Sequence, residues 1–280
     1  MRKVEIPTES EVFDLQIGDQ ESTLSHQEKH SLDIMGYVLL ENLLNVDQVR
    51  QIKEELRRAH KCLLPGVRLE PNTSGEVSLL NIVEAGGLLE ETMALPRVLE
   101  YVRELIWGQQ HRLIRSRGLI RERSSCSTLN QGGKADPRRY TRYRCAWEGQ
   151  FRCLLVTCLM ALSESGPGKG PFCLIPGSHK SNLPHPYERM DVEQIKALRE
   201  ISLQPGSGIL FTENLSHAFK SPTYSQVWLE FQYGPSYMVS WPGSEASPEL
   251  LRRTAGAPEK AHLLKAPYYH PVGSQKKRKS

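Results

Sequence analysis

Long hydrophobic runs are missing from this sequence, and its longest apolar stretch, Cys153 to Leu162, is too short to cross a membrane. The first residues, MRKVEIPTESEVFDLQ, place acids close behind the first bases and contain no apolar stretch. This pattern is typical neither of a secretory signal nor of an Arg-rich transit peptide. These absences predict a protein without a membrane partner that resides in the cytoplasm, with the nucleus as the alternative.

Cysteine is scarce, with six residues among 280, and none of them stands in a CxxC pair or at another zinc-type spacing. Reduced, partly buried thiols are therefore expected rather than a disulfide framework. The Walker A, G-x-G-x-x-G and G-x-S-x-G motifs are also absent. Their absence disfavours nucleotide binding and serine hydrolase chemistry.

An excess of charge of one sign is also lacking, since 36 Lys and Arg against 32 Asp and Glu give a formal net charge of +4. The chain shows no basic stripe, so nucleic acid is not an expected partner. One dense basic run is present, formed by Lys276, Lys277, Arg278 and Lys279. It predicts a solvated tail, and a nuclear localisation signal is the alternative interpretation.

Helical signals dominate the first hundred or so residues, after a polar lead-in expected over residues 1–25. Gly36 to Leu40 is a β-branched and aliphatic run that suits a strand. Asn45 has the position of a helix N-cap, because apolar residues recur at helical spacing after it. A second helical stretch at about 88–107 contains Pro96, so two helices are expected to meet there.

Beyond Trp107 the pattern changes to short apolar runs separated by Gly, Pro and Ser, which predicts an antiparallel sandwich or barrel. The segment from Leu183 to Ile201 contains DVEQIKALREI and predicts a helical insertion. The predicted fold class is α+β, with helices first and a β core at about residues 110–240. One domain over residues 26–272 and a basic tail over 273–280 complete the predicted organisation.

Four segments, in chain order, resemble the phytanoyl-CoA dioxygenase family: GYVLLENL at 36–43, GPGKGPFCLIPGSHKSN at 166–182, GSGILF at 206–211 with LSH at 215–217, and FQYGP at 231–235. The PGSHK stretch after a Gly-rich turn is the specific one. The resemblance implies a double-stranded β-helix, the cupin-like jelly roll, with flanking N-terminal helices. It also implies an Fe(II)- and 2-oxoglutarate-dependent oxygenase that hydroxylates or otherwise oxidises a small organic molecule.

The family's chemistry implies a facial triad of two imidazoles and one carboxylate on the metal. His217 stands where the distal imidazole is expected. The first imidazole is expected between Ser124 and Arg144, a region without histidine, and Asn130 and Gln131 stand in its place. Asp136 is the nearest carboxylate and so a candidate metal ligand, with a turn residue as the alternative interpretation.

The resemblance further implies an arginine about ten residues after the distal histidine, paired with the far carboxylate of 2-oxoglutarate. Gln226 stands near that place and cannot supply a charge-assisted fork. Arg144 and Arg152 are candidates for a substitute from another strand, and for each of them a surface cation is the alternative.

His179 in the PGSHK stretch is predicted to be structural, because the preceding Pro176 and Gly177 fix a tight turn that its ring would cap. In iron-dependent relatives this segment lies near the mouth of the pocket. The resemblance therefore offers His179 and Asn182 as alternative contacts to substrate.

Three hypotheses for the function remain open. The first is an oxygenase whose iron site is rebuilt from His217 with Asp136 or Glu148. The second is a metal-free jelly roll that binds a small ligand or catalyses an isomerisation or cyclisation through acid–base groups. It is motivated by the simultaneous loss of the first histidine, its carboxylate partner and the arginine. The third, a protein that only binds partners, has the basic tail as its single support.

Overall fold

The computed structural model describes residues 24–70, 75–106, 111–123, 125, 127–131, 143–145, 151–181, 183, 185–187 and 190–268. Its helices are α1 (His26–Met35), α2 (Val46–Cys62), α3 (Gly87–Glu91), α4 (Pro96–Leu105), α5 (Pro248–Thr254) and α6 (Pro258–Leu263). Its strands are β1 (Tyr37–Leu40), β2 (Arg68–Glu70), β3 (Glu76–Leu80), β4 (His111–Arg121), β5 (Tyr143–Cys145), β6 (Phe151–Cys153), β7 (Val156–Ala161), β8 (Phe172–Leu174), β9 (Arg199–Ile201), β10 (Gly208–Thr212), β11 (His217–Phe219) and β12 (Gln226–Pro235).

A wide antiparallel sheet forms one wall of the fold, with seven strands in the order β1-β10-β7-β12-β4-β3-β2. A narrower sheet, β11-β8-β9, packs against it, since Phe172 of the narrow sheet and Trp228 of the wide sheet share one buried cluster. Strands β5 and β6 form a separate pair. Two antiparallel sheets packed face to face confirm the predicted jelly roll and the α+β fold class.

Strand β12 lies in the middle of the wide sheet, and all ten of its residues are buried. Successive side chains of a strand point to opposite faces. Val227 and Leu229 therefore enter the core beneath the helices, whereas Trp228 enters the core between the sheets. Glu230 and Gln232 are an even number of residues from Trp228 and so point to the same face of the strand. This strand therefore brings polar groups into the interior of the jelly roll.

The helices cover the outer face of the wide sheet. The side chain of Asn45 caps α2 by accepting a hydrogen bond from the backbone N–H of Gln48 at 2.9 Å, which confirms the predicted cap. Helix α2 approaches the sheet closely at Gly118 on β4, where an added Cβ would lie 2.5 Å from Cδ2 of Leu56. Helix α4 begins at Pro96, which confirms the predicted break.

The predicted helical insertion over residues 183–201 is wrong for the described part of that segment. A 3₁₀ turn at Val192–Gln194 follows Asp191, whose side chain accepts the N–H of Glu193 at 3.0 Å. The following residues, Arg199–Ile201, form β9 and pair with β8. The strand partner and the burial of apolar side chains in this segment outweigh its local helix propensity.

The wide sheet also begins earlier than the predicted β core of about 110–240. Strands β1, β2 and β3 all join it from the N-terminal part of the chain, and β1 and β2, of four and three residues, form its two edges. Residues 1–23 of the predicted lead-in and the tail at 273–280 lie outside the described residues. Those boundaries stay predictions.

None of the helices in the described residues is long and apolar enough to span a membrane. Cys158 and Cys173 are buried free thiols, as expected, Cys153 is also buried, and Cys62 is a free thiol on the surface.

The turn before β10 requires glycine at position 206, where φ is +89° and an added Cβ would lie 2.2 Å from the carbonyl oxygen of Leu44. We expect Gly206→Ala to lower the free energy of unfolding by about 3 kcal/mol, through backbone strain and this close contact. Gly256→Ala is the control, because nothing lies within 4 Å of its added Cβ. Urea unfolding of both variants is the measurement, and equal stabilities would contradict the geometry at Gly206.

Candidate active site

His217 is the first residue of β11 and lies beside two phenylalanine rings. Its ring centroid is 5.7 Å from that of Phe172 and 4.8 Å from that of Phe211. Its Nδ1 donates a hydrogen bond to the carbonyl oxygen of Leu215 at 2.7 Å, since a carbonyl only accepts. In the neutral ring this bond leaves the lone pair on Nε2.

Asn130 stands directly opposite His217. The backbone N–H of each residue donates to the carbonyl of the other at 2.8 Å, so the two form an antiparallel bridge. The side-chain amide Nδ2 of Asn130 lies 3.4 Å from Nε2 of His217. The position where a first imidazole was expected is therefore in contact with the distal histidine and carries an amide instead. Gln131, the next residue, is buried.

Glu213 approaches His217 from the turn between β10 and β11. Its Oε1 lies 3.8 Å from Nε2 of His217, and its Oε2 accepts a hydrogen bond from the hydroxyl of Thr157. Burial raises the pKa of Glu213 above its ordinary value, against the opposing effect of the neighbouring His217. An imidazole, a carboxyl group and an amide thus converge at one point, which we call the His217 centre.

A row of hydrogen bonds leads from the His217 centre to the surface. Nε2 of Gln232 lies 3.5 Å from the hydroxyl oxygen of Thr157, which itself donates to Glu213. The indole Nε1 of Trp241 donates to Oε1 of Gln232 at 2.9 Å. Trp241 belongs to the segment after β12 and is partly exposed. We call this end of the interior the mouth of the jelly roll.

Charged side chains of β2, β4 and β12 share the inner face at the mouth. Arg117 forms a two-pronged ion pair with Glu230, and its third nitrogen reaches Glu70 at 3.1 Å. Glu70 also accepts a hydrogen bond from Arg115. Burial acts to raise the pKa values of Glu230 and Glu70, but the adjacent arginines outweigh it and lower both. These four residues are called the arginine–glutamate cluster below.

The interior on the other side of His217, toward the start of β12, is filled by aromatic rings. The Phe219 ring lies 5.2 Å from that of Phe172 and 5.1 Å from that of Trp228, centroid to centroid. The guanidinium carbon of Arg121 lies 4.2 Å above the centre of the Phe219 ring. Trp228 and Arg121 are fully buried, so this end of the interior is a packed core.

Gln226, the candidate for the co-substrate anchor, is engaged by the protein itself. Its Nε2 donates to the carbonyl of Lys169 at 2.6 Å, and its Oε1 accepts from the indole of Trp228 at 3.4 Å. The residue is fully buried. Both ends of the amide are thus occupied by neighbouring groups of the same packed core.

The ring of His179 was predicted to cap its own turn, but its hydrogen bond instead reaches another element. Its Nε2 donates to the carbonyl oxygen of Asp33 at 3.0 Å and so attaches the narrow sheet to α1. Its ring lies 4.5 Å from that of Tyr143, edge to face, and 2.4 Å from the place where a Cβ on Gly36 would stand. Contact with substrate at His179 stays a prediction, and Asn182 lies outside the described residues.

The other predicted site residues are not brought to the His217 centre in the described part of the chain. Arg152 lies on β6 and bridges Ile106 at the end of α4. Arg144 is its Cα partner on β5, with a side chain outside the described residues. Asp136 and Glu148 also lie outside them, so their predicted metal roles stay predictions.

Sequence reasoning missed Glu213, Arg115, Arg117 and Glu230. A signal was present, because charged residues alternate with apolar ones in HRLIRSRGLIR of β4, and a single glutamate interrupts QVWLEFQY of β12. Charges within otherwise apolar strands are typical of polar groups that face an interior pocket. Their grouping depended on the strand register, which the sequence did not reveal.

The fold and the His217 centre together define a jelly-roll protein with a polar site in its interior. A sequence profile described as phytanoyl-CoA dioxygenase (PhyH) matches residues 32–221, which is more than half of the chain. The chain belongs to this family. No curated protein sequence matches it.

Solved structures that share this fold include HygX, EctD and SnoN. HygX from Streptomyces hygroscopicus, with nickel and 2-oxoglutarate bound, is 23% identical, has a TM-score of 0.67, and the match covers 78% of this chain and 90% of HygX. EctD from S. alaskensis, in its apo form, is 16% identical with a TM-score of 0.59 over 83% and 85% of the two chains. SnoN, a non-heme alpha ketoglutarate dependent epimerase from nogalamycin biosynthesis, is 15% identical with a TM-score of 0.56 over 80% and 87%.

The residues at the His217 centre fit a divalent cation only in part. Adjacent donors in a facial set lie about 3 Å apart when metal–ligand bonds are about 2.1 Å, and Oε1 of Glu213 lies 3.8 Å from Nε2 of His217. The 3.4 Å contact of Asn130 is made by its amide nitrogen, which has no lone pair for a metal. Only the amide oxygen of Asn130 could be a ligand, and it is a weaker one than imidazole. Among the described residues no three His, Cys, Asp or Glu side chains form a metal-binding group.

The residues do not fit the family's co-substrate, 2-oxoglutarate. A dicarboxylate needs a cationic fork at its far end and open space between that fork and the metal. Gln226 carries no charge and is already hydrogen-bonded at both ends. Arg121, its Cα partner on β4, carries a charge, but its buried guanidinium lies over the Phe219 ring and is 3.4 Å from Glu76. Trp228 is hydrogen-bonded to Gln226 and packs against Phe219, so aromatic side chains occupy this end of the interior.

The geometry at Asn130 predicts a gain of metal affinity in Asn130→His. A second imidazole would stand beside His217 and Glu213, so we expect Ni(II) to bind at least about tenfold more tightly than to the wild type, or about 1.4 kcal/mol. Titration calorimetry is the measurement, and the control is Asn130→His combined with His217→Ala, which should remove the gain. Equal affinity in the wild type and Asn130→His would show that the three side chains do not converge.

The surroundings of His179 predict a loss of stability in mild acid. Burial lowers its pKa to about 4, outweighing the hydrogen bond to Asp33 and aided by the charge of Lys180. The unfolded chain, with a histidine pKa of about 6.5, binds more protons than the folded protein in this window, so stability falls as pH drops from about 6.5 to 4, by up to about 3 kcal/mol. Urea unfolding against pH should show this slope, and the slope should diminish in His179→Asn but not in His60→Ala, whose imidazole lies on the surface of α2. A slope unchanged in His179→Asn would contradict the assignment.

Proposed function

We propose that this protein binds a small organic molecule at the mouth of the jelly roll and acts on it at the His217 centre without 2-oxoglutarate. The observation that carries the proposal is the packed core at the start of β12, where Trp228 is hydrogen-bonded to Gln226 and packs against Phe219. In this core Gln226 is uncharged and the guanidinium of Arg121 is engaged by Glu76 and Phe219, so neither presents a fork to the dicarboxylate, while polar groups are retained at the mouth. The site therefore supports the second of the three hypotheses.

The chemistry proposed for the centre is proton transfer, as in an isomerisation or cyclisation. Nε2 of His217 would take a proton from the bound molecule, and the carboxyl group of Glu213, 3.8 Å away, would return one at a second position. Asn130 would orient the molecule through its amide, 3.4 Å from the same nitrogen. The step consumes no oxidant, because one proton leaves the substrate and one is given back.

A second candidate function is hydroxylation with O₂ and 2-oxoglutarate, as the family implies. It is favoured by one observation, the proximity of a carboxyl group to the imidazole, with Oε1 of Glu213 3.8 Å from Nε2 of His217 and the Asn130 side chain beside them. His217, Glu213 and Asn130 would then hold Fe(II), which in this family supplies oxidative chemistry. HygX has been solved with nickel, 2-oxoglutarate and hygromycin B bound, which supports a small organic molecule as the substrate class under either candidate.

Anaerobic titration with Fe(II), with and without 2-oxoglutarate, tests the proposal. We expect no metal-to-ligand charge-transfer band from the wild type and no shift of its melting temperature by 2-oxoglutarate, because the dicarboxylate has no site. His60→Ala serves as a matched control for His217→Ala, since both remove one imidazole. A band that forms in the wild type and in His60→Ala and is lost in His217→Ala would overturn the proposal and establish the second candidate.

A further inference from the structure

The two arginines of the arginine–glutamate cluster differ in the number of their hydrogen bonds. Arg117 uses all three guanidinium nitrogens, with Nε and Nη2 on Glu230 at 2.8 and 2.5 Å and Nη1 on Glu70 at 3.1 Å. Its partners raise the pKa of Arg117 further above its ordinary value, outweighing the effect of burial. Arg117 is therefore held at all three nitrogens and acts as a structural cross-link between β4, β12 and β2.

Arg115 has guanidinium N–H groups without a hydrogen-bond partner among the described residues. Its Nη2 contacts Glu70, which it shares with Arg117, while its Nε is buried and has no hydrogen-bond partner among the described residues. The buried Nε is out of reach of a ligand, and an unsatisfied buried donor is destabilising. The side chain of Arg115 is 17% exposed, and its Nη1 makes no hydrogen bond to the described residues, so Nη1 is the nitrogen that a small ligand would meet.

Arg115 is the member of the cluster that could pair with an added anion. Two guanidinium groups face two carboxylates whose pKa values are lowered, so the cluster itself is neutral. Arg115 is hydrogen-bonded to one carboxylate, Glu70, whereas Glu230 is held by Arg117 at both oxygens. A carboxylate that approaches Arg115 would meet the Nη1 end of a planar guanidinium, which has no competing ion pair among the described residues.

Trp241 is linked to the position of this arginine through Gln232. Arg115 and Gln232 are directly opposite each other in the pairing of β4 with β12, and Gln232 accepts the indole N–H of Trp241 at 2.9 Å. The hydrogen bond fixes one edge of the indole, while 38% of the residue remains exposed. A fixed, partly open indole offers a flat apolar surface to a ring.

The same glutamine joins this pair to the His217 centre, through Thr157 and Glu213. We propose that Arg115 and Trp241 form a subsite for the carboxylate and ring of a small aromatic acid. The ring lies on Trp241, the carboxylate pairs with Arg115, and the remainder of the molecule reaches His217. This inference rests on the proposed function, in that the mouth is where the small molecule binds.

Binding of benzoate, with benzyl alcohol as its uncharged counterpart, tests the subsite. Titration calorimetry and tryptophan fluorescence of the full chain are the measurements. We expect benzoate to bind at least about tenfold more tightly than benzyl alcohol, and Arg115→Gln to abolish this preference, because it removes the charged fork. Arg50→Gln, which removes an exposed arginine from α2, should retain it. Trp241→Phe should remove the fluorescence response while leaving measurable binding.

Arg115→Lys is the control for a folding defect in Arg115→Gln, because lysine keeps the positive charge but lacks the planar fork. It should weaken benzoate binding and leave the circular dichroism spectrum unchanged. His217→Ala should still bind benzoate, which separates failure of the subsite from failure of the proposed function. Equal binding of benzoate and benzyl alcohol, no binding of benzoate, or unchanged affinity in Arg115→Gln would each overturn the inference. A 2-oxoglutarate-dependent charge-transfer band alongside Arg115-dependent benzoate binding would overturn the proposed function and support the subsite.

Discussion

The register of β12 is the constraint on which the rest of the structure depends. This strand pairs along its length with β4 and over six residues with β7, and every residue in it is buried. Its odd positions supply the core under the helices, and its even positions supply both Trp228 and Glu230 to the interior. A slip by one residue would exchange the two sets, leaving charges under the helices and aliphatic side chains at the mouth. The packed end and the polar end of the interior are thus two parts of one strand face.

Local sequence signals were sufficient to predict the helices whose first residues carry a capping side chain or a proline. Asn45 caps its own helix, and Pro96 opens another, because both effects arise within a few residues. The prediction of a jelly roll came from the family resemblance, because hydrophobic periodicity alone did not distinguish a sandwich from a barrel. The failure at residues 183–201 has a physical cause, since β9 forms by pairing with β8, a partner about 25 residues earlier in the chain.

The candidate site was predictable where the family pattern fixes a position and not where side chains converge from different strands. His217 and Asn130 were both singled out, and the structure brings them into contact. Gln226 was noted as unable to hold a carboxylate, but its hydrogen bond with Trp228 could not be read from the chain. Glu213 stands four residues before His217, yet its approach to the imidazole depends on the turn between β10 and β11.

The short edge strands have a consequence for self-association. An unpaired strand edge is a template for another chain, and proteins limit that risk by keeping edges short or placing charge on them. Strand β1 offers four residues and β2 only three, with Arg68 exposed on the latter. The long strands β4 and β12, which carry the polar groups, lie inside the sheet and are paired on both sides. The strands that would be the strongest templates for edge-to-edge aggregation are therefore shielded, and a polar interior is kept without exposing them.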